Sequence, residues 1–217
     1  MKKLLKLTRS AQRLRFTVLA LLLACVPALT HAADLRAMVF FIKNMSLGQG
    51  HVGWAIETSP GIFCYGSIEG YNNQPHISPG RPNGGFYVAN VPMATMLAAM
   101  KSGQHGGQSF RYESYKVVHV KNVTAASINA AKNLASQSAS RGYSVAGVGS
   151  PTAAVRGNNC EDVVFDVIKL YSGNNDTILP WPSTHWSPWS FYDAICSNGG
   201  DYGNPFNRTA KAPEIRL

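Results

Sequence analysis

The sequence predicts an α+β domain in which a small, mostly antiparallel sheet packs against helices. Three observations predict it. His51 to Glu57 is rich in β-branched and aromatic residues, Thr58-Ser59-Pro60-Gly61 is turn chemistry, and Ile62 to Glu69 reads as the returning strand of a hairpin. Two later stretches carry apolar residues at intervals of three and four, which puts them on one helix face: Ile128, Ala131, Leu134 and Ala135, then Cys160, Val163, Val164, Val167, Ile168 and Tyr171. No internal repeat and no second-domain linker interrupts the chain, so residues 33–217 are expected to form one domain.

The N-terminus is expected to be a signal peptide over residues 1–32. Lys2, Lys3, Lys6, Arg9, Arg13 and Arg15 form a basic region, Phe16 to Leu29 an apolar one, and Thr30-His31-Ala32-Ala33 supplies small residues at a cleavage site after Ala32 or Ala33. The apolar run is too short to span a bilayer, so no transmembrane span is expected. The protein is thus expected to be exported, periplasmic or secreted. Leu22-Leu23-Ala24-Cys25 is similar to a bacterial lipobox, and a lipid anchor at Cys25 ranks second because Val26 to Leu29 continues the apolar run.

The remaining elements follow in order. Leu35 to Lys43 is a β-like run, and Asn44 to Gly50 a loop. A hairpin turn centred on Ser59-Pro60 sets His51 opposite Ile68, and a slip of one residue brings Ser67 or Glu69 there instead. Gly70 to Asn90 reads as a long irregular loop, and Pro92 to Lys101 as a short helix with Met93, Met96, Leu97 and Met100 inward. Ser109 to Lys121 is a strand, Thr124 caps a helix to Ser140, and Tyr143 to Val148 holds one short strand. Beyond Tyr171 the tail is rich in Gly, Asn, Pro and Trp, and its last eight or so residues are expected to fray.

Charge and cysteine count narrow the function. The chain has 20 basic and 11 acidic residues, but six of the basic ones and none of the acidic ones lie in the leader, so the mature chain keeps a net charge of only +3. The basic balance belongs to targeting and gives no reason to expect nucleic acid. The mature chain keeps three cysteines, Cys64, Cys160 and Cys196. An exported protein tends to pair its thiols, and an odd count leaves one over. Pairing Cys64 with Cys196 would make Cys160 the odd thiol, but it is one of three pairings and the spacing selects none.

Cys160 stands at the first turn of its helix, with Asn159 as N-cap and Asp162 three residues on. Backbone N–H groups and the helix dipole there favour a thiolate, whereas Glu161 and Asp162 are negative charges beside the sulfur and oppose it. The bland readings are half of a disulfide or a small buried apolar residue. His76, His105, His119 and His185 show no metal-ligand spacing, so neither a metal site nor another cofactor is expected. Trp181, Trp186 and Trp189 read as aromatics that pack the tail onto the domain, or as the lining of a glycan or peptide groove.

Gly50-His51-Val52-Gly53-Trp54-Ala55-Ile56, followed a hundred residues later by Asn159-Cys160-Glu161-Asp162-Val163-Val164, resembles the circularly permuted papain-like superfamily. That group includes the NlpC-like hydrolases and lecithin:retinol acyltransferase. The resemblance covers roughly residues 48–171. It implies that His51 is the general base, Cys160 the nucleophile, and Glu69, on the strand after the histidine, the third polar residue. Tyr65, Ser67 and Glu57 are alternatives for the third. It also implies a thiol hydrolase acting on an amide bond, with peptidoglycan peptide as the expected substrate. Two departures bear on the branch: Asp162-Val163 stands where the family helix commonly continues His-Phe, and no second histidine stands on the strand as it does in the acyltransferase branch. A lipid or thioester hydrolase or acyltransferase is the enzymatic alternative, and a secreted binding module with Cys160 in a disulfide the non-enzymatic one.

Overall fold

The hairpin forms, with its register set at the turn. The computed structural model describes residues 32–45, 50–68, 76–77, 84–103, 111–137, 140, 142–144, 159–182, 187–197 and 211–217. Strands β2 (His51–Ser59) and β3 (Ile62–Ser67) pair Trp54 with Gly66, Ala55 with Tyr65, Ile56 with Cys64 and Glu57 with Phe63. This is one residue away from the register of a turn centred on Ser59-Pro60. Gly61 takes the left-handed position at φ +78°, and an irregularity between Glu57 and Ser59 absorbs the offset.

Strand β1 (Ala33–Ile42) lies at the centre of the sheet, antiparallel to β2 on one side. On its other side it pairs with β6 (Ser114–Val123). Strand β5 (Phe86–Pro92) adds beyond β3 and β8 (Ile215–Arg216) beyond β6, giving the order β5-β3-β2-β1-β6-β8. A separate two-stranded ladder pairs β4 (His76–Ile77) with β7 (Tyr143–Ser144). Two sequence expectations change here. The stretch read as one irregular loop contains β4 and most of β5, because pairing to β7 and to β3 overrides its Gly and Asn content; Asn90 sits at φ +58° within β5. The tail expected to fray ends in β8, tied to Ser114 and Tyr115.

Four helices complete the described residues: α1 (Met93–Ser102), α2 (Ala125–Ser136), α3 (Cys160–Tyr171) and α4 (Pro188–Ala194). Pro92 is the N-cap of α1 rather than its first residue, and α2 stops at Ser136, short of the expected Ser140. Thr124 caps α2 through a reciprocal bond with Ser127, and Asn159 caps α3 as its sequence predicts.

The two faces of the sheet carry separate cores. On one, Val39, Phe41, Val52, Trp54 and Ile56 pack with residues of α2, α3 and α4. On the other, Met38, Phe40, Ile42, Ala55, Phe63 and Tyr65 pack with Met96 and Met100 of α1 and with Tyr112. Helix α3 lies along β2, and the Tyr171 hydroxyl donates to the Glu57 carbonyl at 2.6 Å. Its C-terminal end is therefore at the Glu57 end of β2. Eleven helical steps cover about 16 Å and six strand steps about 20 Å, so Cys160 lies at the His51 end. No helix of the described residues is long and apolar enough to cross a membrane.

Candidate active site

The start of α3 is built by its cap. Asn159 Oδ1 accepts from the Asp162 N–H at 2.8 Å, Asp162 Oδ2 accepts from the Asn159 N–H at 3.4 Å, and the helix ladder begins with Val163 N–H on the Asn159 carbonyl at 3.2 Å. The ladder supplies no intrahelical acceptor for the Cys160 and Glu161 N–H groups, and such groups at a helix start suit an anion. Cys160 is only 4% exposed and packs in the core shared by β2 and α3.

The two acidic neighbours differ in effect. Asp162 is held in the cap, while burial, with the Asp162 charge second, pushes the Glu161 carboxyl up to about 8. At neutral pH Glu161 is thus mostly protonated, and one of the two charges that opposed a thiolate is removed.

His51 begins β2 at the same end of the sheet, but its side chain leaves on the other face. Alternation sends Val52, Trp54 and Ile56 toward α3 and His51, Gly53 and Ala55 away from it. The His51 ring lies 6.0 Å from the Tyr112 ring, and its Nε2 is hydrogen-bonded to Ser67 Oγ at 2.8 Å. Gly53 leaves the space that Tyr112 fills: a Cβ there would stand 2.6 Å from the Tyr112 hydroxyl. Burial pushes the His51 pKa down to about 3, so the ring is neutral across the physiological range. The structure therefore brings the backbones of His51 and Cys160 to one end of the sheet and directs their side chains to opposite faces.

Glu69 lies outside the described residues. Of the alternatives for the third polar residue, Ser67 touches His51, whereas Tyr65 stacks edge-on with Phe86 at 5.9 Å. Glu57 is taken up at the far end of β2. It accepts from the Arg36 backbone N–H at 3.1 Å, Arg36 Nε at 2.9 Å, Arg36 Nη2 at 2.7 Å and the Gly61 N–H at 2.7 Å. With Trp54 opposite Gly66, Ser67 reaches His51 diagonally, and not through the one-residue slip that would have set the two opposite each other. Tyr112, before β6, carries no local signal, since its partners, Phe40 and His51, come from β1 and β2.

Cys64, Cys160 and Cys196 are buried thiols, and no bridge joins any two of them. Cys64 Sγ lies 3.8 Å from Asn90 Oδ1, and Cys196 Sγ 3.7 Å from the Ala194 carbonyl. Trp181 packs on Phe165, ring centroids 5.1 Å apart, as tail-packing predicts. Trp189 is 48% exposed and leans on Phe41 at 5.3 Å. Trp186, His105 and His185 lie outside the described residues. Among those residues no three His, Cys, Asp or Glu side chains converge as metal ligands. Compared with protein-family models, curated proteins and solved structures, the chain matches none.

Proposed function

We propose that this protein is an exported thiol hydrolase that cleaves an amide bond, with cell-wall peptide as substrate and Cys160 as nucleophile. The observation that carries the reading is the placement of Cys160 as the first residue of a capped helix, beside a glutamic acid that burial keeps mostly neutral. A thiolate at that position is favoured by the helix N-terminus, and the first-turn N–H groups are donors for the oxyanion of a tetrahedral intermediate. The resemblance to the permuted papain-like group supports the same residue and makes His51 its base. In the arrangement described, the His51 ring would have to leave Ser67 and cross to the α3 face to serve that role.

That orientation favours a second reading, a secreted binding module in which Cys160 is an inert core thiol and His51 a structural histidine. Hydrolysis of stem peptides by the wild-type chain and by Cys160→Ala separates the two. The hydrolase reading expects a loss of about 1,000-fold or more in kcat/KM. Unchanged turnover in Cys160→Ala removes Cys160 as the nucleophile, and no turnover in the wild type leaves the binding module. Cleavage of a lipid ester in detergent with no action on stem peptides moves the substrate to the lipid or thioester class.

A further inference from the structure

We propose that Trp189, with the Asp193–Lys211 ion pair beside it, is a sugar-binding platform that holds the glycan carrying the scissile wall peptide; its link to hydrolysis rests on the cell-wall reading above. Trp189 and Ile215 are the exposed large apolar side chains among the described residues. Ile215 stands opposite Tyr115, on the sheet face away from Cys160. Trp189 is on the Cys160 face. Its ring rests on Phe41, a member of the core that contains Cys160, and Phe41 pairs with Val52, the residue after His51. Helix α4 packs against β1, β2 and α3. The exposed indole therefore stands at the end of the sheet where α3 begins.

The ring is held in place as well as exposed. Ser187 and Ser190 cap α4 reciprocally, and Pro188 fixes the backbone just before Trp189. Tyr192, also of α4, is buried, stacks on Phe41 at 4.9 Å and donates to Ser114 Oγ at 3.2 Å. Lys116 Nζ donates to the Asp193 carbonyl at 3.0 Å and fastens the other end of the helix to β6. A ring set in advance loses little freedom when a ligand covers it.

The neighbours of Trp189 select the ligand. Asp193 is four residues on in the same helix and so projects from the same side. Its carboxylate accepts from Lys211 Nζ at 2.6 Å, and the two side chains are 48% and 63% exposed. A flat apolar face beside an acceptor and a donor of no net charge suits a sugar ring. The C–H face of the sugar covers the indole, and its hydroxyls bond the carboxylate and the ammonium. An anion would be repelled by Asp193 and a cation by Lys211, while a wholly apolar partner would strip water from both charges and return no hydrogen bond.

The test is calorimetric titration of the full chain with a tetramer of N-acetylglucosamine, together with steady-state hydrolysis of a stem peptide presented free and attached to its disaccharide. The variants are Cys160→Ala, Trp189→Ala and Trp189→Leu, the last of which keeps apolar cover over Phe41 but has no flat ring. We expect wild type and Cys160→Ala to bind the tetramer alike. Both Trp189 variants should bind it about fivefold more weakly or worse and raise KM for the glycan-linked peptide by a similar factor, with kcat, the free peptide and the Trp189→Leu thermal melt unchanged. No binding by the wild type, equal binding by the Trp189 variants, or Trp189-dependent binding of the free stem peptide in place of the tetramer overturns the inference. If the glycan-linked peptide is cleaved with the same KM by wild type and both Trp189 variants, this inference falls alone. If the wild type binds the tetramer through Trp189 but cleaves neither peptide, the hydrolase reading falls and the platform stands.

Discussion

At one end of β2 Glu57 keeps its charge inside the protein, and at the other end His51 loses its own. Both residues are buried and stand on the same face, six positions apart. Burial alone would push the Glu57 carboxyl up, but hydrogen bonds and charge from Arg36, with the Gly61 N–H, more than offset it and hold the pKa below the usual carboxylate range. His51 has the neutral Ser67 hydroxyl beside it, and burial prevails. A buried group stays ionised where donors saturate it and an opposite charge touches it. One end of the strand is thereby a clamp, and the other a neutral, packed imidazole.

The largest effect expected from breaking this contrast is at the clamp. Glu57→Ala removes four hydrogen bonds and strands the partly exposed Arg36, so we expect a loss of about 2–4 kcal/mol, read by urea unfolding. At the other end the effect is a pH dependence. The folded His51 pKa is about 3 and the unfolded value about 6.5. The unfolded state therefore binds more protons between those values, and stability falls as pH drops through that window. The loss is up to about 2 kcal/mol between pH 6.5 and pH 5, and His51→Gln should flatten it. Glu57 acts at lower pH: its folded pKa is depressed, so its contribution is present above the unfolded carboxylate pKa and is lost as pH falls through the folded one.

Glu161 sharpens the comparison with the opposite sign. Its folded pKa is about 8, well above the ordinary carboxylate value, so the folded state binds the extra proton and stability declines as pH rises from about 4.5 to 8. Glu161→Gln should remove that decline, worth about 1 kcal/mol or more at pH 8 in a thermal melt series. The smallest effect is at the cap, where Asn159→Ala should cost about 1 kcal/mol and reduce Cys160 alkylation through a less ordered first turn.

Local chemistry in the sequence was enough to find α3 with its cap and first residue, because Asn159, Asp162 and the three-and-four spacing lie within twelve residues of one another. The same holds for Thr124 at the start of α2. What escaped was set by distant pairing. Strand β5 follows Gly84-Gly85, contains Asn90, and becomes a strand only against β3. The face of His51 follows from where α1 and α3 pack, which no local pattern records. Two short motifs, one on β2 and one on α3, suggested a direct Cys160 and His51 pair; alternation along β2 assigns their side chains to different cores.

The most direct measurement is intact and peptide mass spectrometry of the wild-type chain after brief exposure to an activated acyl ester at pH 7. We expect one acyl group, carried on the peptide that contains Cys160 and absent from Cys160→Ala. No adduct, or label shared equally with Cys64 and Cys196, would contradict a nucleophile at the start of α3.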